Sequence, residues 1–593
     1  MEISRREFIH ILGLAGAAGL LPATLRAREG LSGLYESAPF GTLRLMHMTD
    51  CHAQLNPIYF REPHVNLGLG DAFGKPPHLV GRALLAHFGL PPGGWEAYAL
   101  THLDFDRAVE TYGKVGGFAH LATLVKQLRA EVGEGRSLLL DGGDTWQGSA
   151  TALWTRGQDM LGACNLLGVD VMTGHWEFTY TDAEVIDRVL AFKGDFVAQN
   201  VRVKEESSFD YPFEDFVHYD EARGYAFKPY TIRAMGGVRV AVVGQAFPYT
   251  PIANPARFIP HWTFGIRPDE MQALIDQLRA QERVDLVVVL SHNGMDVDLK
   301  LASLISGVDV IFGGHTHDGV PAAIEVANPG GKTLVTNAGS NGKFLGVMDL
   351  DVADGKLRGH RYRLLPVFSR LIPADEAMAA YIEEVRAPYL TRLHQPLAET
   401  EETLYRRGNF NGTFDQVIVD ALRQVEDTQI AFSPGFRWGT TVPAGQTVTL
   451  EHVMDQTAIT YPATYRREVS GAEIKEILEE VAHSLFHPDP FRQQGGDMVR
   501  VGGLRYAFEP GADLGQRISD LRLADGRLIE AEKHYTLSGW ATVGEPGSGR
   551  PIWEVVTDYL ADNKVIRAAP LENPRLIGVD NNPGLAEVAQ TRE

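Results

Sequence analysis

Aspartates and histidines stand where the apolar runs of this chain stop. Asp50 and His52 follow "TLRLMHMT", Asp144 follows "RSLLLDGG", His175 follows "GVDVMTG", His292 follows "DLVVVLS", and His315 and His317 follow "VDVIFGG". Imidazole and carboxylate donors suit zinc, manganese or iron. With Cys51 and Cys164 as the only cysteines, neither a disulfide framework nor a thiolate metal site can be built. A lone histidine at a strand end is ordinarily capped or solvated, whereas a full set at successive strand ends reads as a metal constellation. Asp50 and His52, and likewise His315 and His317, lie two apart. On an extended chain both members of each pair face the same way, and Cys51 turns aside as a small buried apolar residue. Gly142 and Gly143 let the backbone approach closely before Asp144. A carboxylate there is placed to bridge two cations, whose charge keeps it ionised.

The elements that must gather these residues are legible in the same runs. From about residue 41 to 365, β-rich apolar runs alternate with helical stretches such as "GGFAHLATLVKQLRAEV". Runs apolar on both faces and separated by helices predict an α/β sandwich, and polar residues at the strands' C-terminal ends are where such folds place sites. An insertion over 53–113, rich in Pro, Gly and aromatics, predicts a packed cover over the site. Residues 373–395 form a connector whose acidic helix kinks or stops near Pro388. A smaller α+β domain is expected over 400–580, with helices in "GTFDQVIVDALRQV" and "SGAEIKEILEEVAHSLF". No internal repeat or low-complexity tract interrupts this plan.

At 593 residues the chain exceeds one core, so two or more domains are expected. The 44% apolar and 9% aromatic composition is that of a globular protein, and the net charge of −21, without a basic cluster, argues against nucleic acid or an anionic membrane surface as partner. "SRREFI" precedes the short apolar stretch "ILGLAGAAGLLPA". Paired arginines before a mild apolar segment read as a twin-arginine export signal, residues 1–27, and the run is shorter than the roughly 18 residues of a membrane span. A mature protein in the periplasm, without a membrane span, is expected.

The ordered set D-x-H, G-D, G-[NH]-x-E, S-H and G-H-x-H resembles the dinuclear calcineurin-like metallophosphoesterases. "GTFDQVIVDALRQ", "SPGFRWG" and "VGGLRYAFEP" resemble the C-terminal domain of their 5′-nucleotidase subfamily. The resemblance implies a four-layer metallophosphoesterase sandwich followed by a smaller α+β 5′-nucleotidase-type domain. It assigns one metal to Asp50, His52 and His317, a second to His175, His292 and His315, and the bridge to Asp144. It also implies a hydroxide activated between the cations as nucleophile, and a turn carrying Arg437 toward the substrate.

One position departs from the pattern. In "TGHWEFTY" a histidine occupies the slot of the family's asparagine, Trp176 replaces its proton-donating histidine, and Thr179 replaces that donor's aspartate partner. An alkoxide needs a proton as it departs, whereas a thiolate, with a parent pKa of about 8.5, does not. The swap therefore fits cleavage of a bond to sulfur. "TDCHAQLNPIYFREP", "PPHLVGRALLAHFG", "YGKVGGFAHLATLVKQLRA" and "TGHWEFTY" resemble, at finer grain, the thiosulfohydrolase (SoxB) family of the periplasmic sulfur-oxidising (Sox) system. That resemblance implies two Mn2+ ions, with Zn2+ as the alternative. It further implies release of sulfate from a cysteine S-thiosulfonate on the mobile arm of a SoxYZ carrier protein. A periplasmic 5′-nucleotidase in which Trp176 lines a base pocket, and a metal-bound module without catalysis, stand as alternatives.

Overall fold

The computed structural model describes residues 33–36, 38–567 and 570–586, so the expected export signal lies outside the described residues. β1 (Leu43–Met48) shows why the early runs are apolar throughout. Leu43 and Leu45 enter a layer between two sheets, while Met46 and Met48 enter a layer under helices. β1 pairs in parallel with β2 (Ser137–Asp141), which pairs with β3 (Val171–Met172), which pairs with β4 (Asp195–Phe196). A second sheet follows, built from β5 (Tyr230–Met235), β6 (Val238–Gln245), β7 (Leu286–Ser291), β8 (Val310–Gly313), β9 (Ile324–Asn328) and β10 (Gly331–Asn337). Its order is β9-β10-β8-β7-β6-β5, with β6, β7, β8 and β10 parallel. The chain then returns to the first sheet through the antiparallel pair β11 (Phe344–Ala353) and β12 (Lys356–Pro366), completing the order β12-β11-β1-β2-β3-β4.

Helices cover the outer face of each sheet. Phe118–Val132, Gln158–Leu167 and Asp182–Ala191 pack on the first, and Pro268–Ala280 and Met295–Leu304 on the second. On β7, Leu286, Val288 and Leu290 face the other sheet while Val287 and Val289 face the helices. The result is the expected four-layer α/β sandwich, stabilised by about 1.5–3 kcal/mol for each fully buried aliphatic side chain.

Beyond it, the connector is a helix over Glu376–Arg386, capped by the Asp375 carboxylate, that breaks at the single turn Ala387–Tyr389 containing Pro388. A smaller α+β body follows, around a four-stranded sheet made by Thr464–Ser470, His534–Trp540, Ile430–Ser433 and Arg500–Gly502. Its helix Gly471–Leu485 starts at a capping box of Ser470 with Glu473.

The insertion covers one side of the strand-end residues, against His315 and His317, and also does more than cover. Its second half folds into short helices that pack through Tyr98, Phe105 and Val109 on Phe344 and Phe368. Its first half is a strap across the two domains. Val65 and Leu67 enter the core of the second domain, and the Leu67 N–H donates to Asn409 Oδ1 at 2.7 Å. The chain's last described segment ties it down, because Asn66 N–H donates to Gly584 O and Ala586 N–H to His64 O, at 2.7 and 2.9 Å. Among the described residues, no helix is long and apolar enough to cross a membrane.

Candidate metal centre

The seven strand-end residues converge into two adjoining buried groups, Asp50, His52, Asp144 and His317, and Asp144, His175, His292 and His315. Within each group the potential ligand atoms lie within 4.8 Å of one another, and Asp144 belongs to both. His52 Nε2 is 3.0 Å from His317 Nε2, which in turn is 3.2 Å from Asp50 Oδ1. On the other side His292 Nε2 lies 3.0 Å from Asp144 Oδ2, and His175 Nδ1 lies 3.3 Å from the same carboxylate. The residues fit a pair of cations: the Nε2 atoms of His175 and His315 are buried without a hydrogen-bond partner, and coordination would satisfy them.

The expectation that each two-apart pair sits on extended chain is corrected. The strands end at Met48 and Gly313, before the candidate ligands. Asp50, His52, Asp144, His315 and His317 have φ of 52°, 44°, 58°, 72° and 60°. That left-handed backbone is uncommon outside glycine and is sustained only where surrounding contacts over-determine it. Here Asp50 N–H donates to Gly143 O, His52 N–H to Asp144 O and Asn341 N–H to Asp50 O, at 2.7–2.8 Å. Tight turns of mutually bonded loops, not pleating, point these side chains together. Cys51 is buried in the apolar core, as expected.

Electrostatics prepare the rings for ligation. Burial pushes His52 down to about 4 and holds His315 and His317 well below the usual imidazole range, in the neutral form that binds metal. Burial acts on His292 too, but the charges of Asp144 and Asp50 outweigh it and raise it to about 10. Burial would raise Asp144, yet His292 and His175 hold it well below the carboxylate range. The His292 ring is oriented by its Nδ1, 2.6 Å from Gly142 O. Phe247, the second residue past β6, fixes two further rings, stacking on His315 at 4.0 Å and touching His175 at 4.2 Å.

The sequence assigns Glu177 no role beyond its place in the G-[NH]-x-E motif, but its carboxylate holds the loops together. It is fully buried; Oε2 accepts from the N–H groups of Asp144 and His175 at 3.0 and 2.9 Å, and Oε1 from Thr145 and Trp146 at 2.8 and 3.2 Å. Glu177→Gln turns one acceptor oxygen into a donor facing N–H groups. It should cost roughly 3–6 kcal/mol, two hydrogen bonds to a charged group, and lower metal affinity with it. Thermal denaturation alongside a metal titration checks this, and an unchanged affinity would remove Glu177 from that role.

A channel of ≈ 420 Å³ opens above the groups, lined by His52, Asp144, His175, Trp176, Phe247, Arg437 and Trp438, with no residue of the 53–113 insertion in its wall. Trp176, only 5% exposed, joins the apolar core of the second domain. Its ring meets those of Phe436 and Trp438 edge-on at 5.4 and 5.0 Å, and these two stack on each other at 4.1 Å. Thr179 does not face an acid–base partner; its hydroxyl lies 2.7 Å from that of Thr460 in the second domain. Arg437 lines the channel, its Nη2 donating to Gly496 O at 2.6 Å. Arg407, in "LYRRGNFNG", was missed: it is buried, and its charge reaches His317. The adjacent arginines of that segment were the available signal.

Residues 394–556 match the family model described as 5′-nucleotidase, C-terminal domain. A sulfate thiohydrolase SoxB from Thermus thermophilus, solved in complex with glycerol, is 35% identical, with a TM-score of 0.84 over 92% of this chain and 98% of that one. A 5′-nucleotidase precursor, also from Thermus thermophilus, is 22% identical at TM-score 0.69 over 90% of this chain and 99% of that one, a likeness of fold. The 5′-nucleotidase of Rattus norvegicus is 25% identical over 513 residues, 77% of this chain and 84% of the relative. With its two-domain architecture and its paired Asp/His groups at the sandwich strand ends, this chain belongs to the 5′-nucleotidase superfamily.

Proposed function

We propose that the protein is a thiosulfohydrolase that releases sulfate from a cysteine S-thiosulfonate presented on a carrier protein of the SoxYZ type. The observation that carries this reading is the indole of Trp176 in the slot where relatives with oxygen leaving groups need an acid. In this proposal Asp50, His52 and His317 hold one cation, His175, His292 and His315 another, and Asp144 both, with Mn2+ or Zn2+ as the metal. When bound, the cations supply a water-derived nucleophile at neutral pH and offset the charge developing at the attacked centre.

The chain's own residues do the rest. Arg437, in the channel wall, orients the sulfonate oxygens, because a guanidinium can donate two parallel hydrogen bonds to such an anion. Trp176, Phe436 and Trp438 exclude water from the bond under attack. A water oxygen adds to the sulfonate sulfur and gives up its two protons to solvent, the sulfur–sulfur bond breaks, and its electron pair stays on the departing sulfur of the carrier, which needs no proton from residue 176. The likeness to SoxB along most of the chain supports this assignment. The arginine pair of the leader supports export to the periplasm by the twin-arginine route.

The second reading, a 5′-nucleotidase, has the rat relative in its favour. It needs a slot for a nucleobase beside the metals. Trp176, Phe436 and Trp438 lie in mutual contact at 4.1–5.4 Å between centroids, so these rings leave no gap between them for another. The test is direct competition of substrates on the metal-loaded protein. Sulfate release from a thiosulfonated carrier should exceed phosphate release from AMP by at least about 10²-fold, the lower end of what a general acid contributes. Faster phosphate release would overturn the proposal, and no release of either would leave the non-catalytic module.

A further inference from the structure

A second, smaller cavity of ≈ 50 Å³ lies against the other side of the candidate centre. The strap contributes His78 to its wall, the first turn of helix Met295–Leu304 contributes Asp296, and the loop after β8 contributes His315 and Asp318. Arg407 and Arg437 close it from the second domain. His315, Arg437, Gly495 and Asp497 line both cavities and so form the partition between them. The partition is thin where the backbone crosses it. Gly495 has φ of +81°, and a Cβ there would come within 2.1 Å of His315 Nε2.

Among the described residues, three buried donors around this cavity have no acceptor in good hydrogen-bonding geometry: Arg407 Nε, Arg437 Nη1 and His78 Nδ1. Arg407 is 7% exposed, and its one contact to an acceptor is a 3.5 Å approach of Nη2 to Thr316 O. Buried donors are rarely left unpaired, so three of them around one cavity mark a place built for an acceptor. Two of the neighbouring carboxylates are already engaged. Asp296 takes His78 Nε2 at 2.8 Å, while Asp497 takes Asn409 Nδ2 at 3.1 Å and Arg500 Nη2 at 3.3 Å. Asp318 keeps an unpartnered Oδ2, which opposes tight retention of an anion and suits passage.

We propose that this cavity is a side exit for the tetrahedral oxyanion product. Arg437, facing both cavities, passes a sulfate- or phosphate-class dianion from the centre to Arg407 and the His78–Asp296 pair, and so to solvent. The proposal rests on the proposed function in requiring such an anion and a substrate arm in the channel. A substrate arm seated in the channel blocks the way in, so an anion cut at its closed end needs another way out. The strap, remote from the channel, gains a role in turnover through His78.

The test uses the metal-loaded full chain. Crystals soaked in selenate, which has the shape and charge of sulfate, should show anomalous scattering from selenium within hydrogen-bonding reach of Arg407 and His78. Selenium at the metals alone, or only outside the cavity, would overturn the proposal. His78→Gln and Asp296→Asn should leave the single-turnover rate unchanged. Both should slow steady-state turnover on the order of 10-fold, with a product burst, because release then limits. Parallel loss of single-turnover and steady-state rates would place the pair in the chemistry instead, and no change in either variant would leave it without a role; both outcomes sink the exit. If wild type hydrolyses neither substrate, the hydrolytic reading fails, while the selenium positions still decide whether the cavity binds the anion.

Discussion

Asp144→Asn is expected to empty both cation positions at once. The carboxylate sits in both candidate groups, Oδ2 lying 3.0 Å from His292 Nε2 and 3.7 Å from His52 Nε2. Two unit charges about 4 Å apart interact by roughly 4 kcal/mol at an effective dielectric near 20, and a divalent cation doubles that. Even with much of it offset by desolvation, affinity at each position should fall by at least about 10³-fold, and activity with it. Asparagine keeps the shape and the oxygen that accepts the Trp176 N–H at 2.6 Å, so the loops should hold. Elemental analysis after reconstitution should find two cations per wild-type chain and almost none in the variant. One cation in wild type would end the dinuclear reading, and a variant retaining both would end the bridge.

The second large effect concerns the missing acid. Trp176→His with Thr179→Asp restores the superfamily's pair, and the two positions lie at the ends of one short turn, Trp176–Thr179. Hydrolysis of phosphate esters with poor leaving groups should rise by about 10²–10⁴-fold, the usual worth of a placed general acid. Hydrolysis of the carrier's thiosulfonate should not rise, since sulfur departs without a proton. Losing an indole that packs on Phe436 and Trp438 costs about 3–5 kcal/mol, so melting temperature and metal content must accompany the rates. An aspartate at 179 also enters a buried site, where the Thr460 hydroxyl is its nearest donor. A folded, fully metallated variant that cuts thiosulfonate faster than wild type would show that the proton had been limiting.

The strands and the convergence of their ends were readable because both follow from local pattern. A run such as "DLVVVLSH" declares a strand buried on two faces and then the polar stop at His292. The backbone at those stops was not readable. The left-handed turns at Asp50 and Asp144 are held by bonds between loops some ninety residues apart, and nothing within either tripeptide reports its partner. Glu177 was hidden for a related reason. A glutamate beside a phenylalanine looks like a register mark until the four N–H groups around it are seen. The strap's crossing into the second domain was not readable because its contacts lie with residues 409 and 579–586, at distances no periodicity can express.

That strap sets an order of events in biogenesis. Val65 pairs with Leu585 and Asn66 with Gly584, so a segment of the first domain closes against chain some five hundred residues further on. Until the second domain has formed, Val65 and Leu67 have no core to enter, and the sandwich carries an unsatisfied loop. Contacts that close so long a stretch of chain form late and slowly, which favours interception by chaperones over folding domain by domain on the ribosome. Docking of the strap is then a late step: the event that seals the two domains together also draws residues 584–586 onto the first of them.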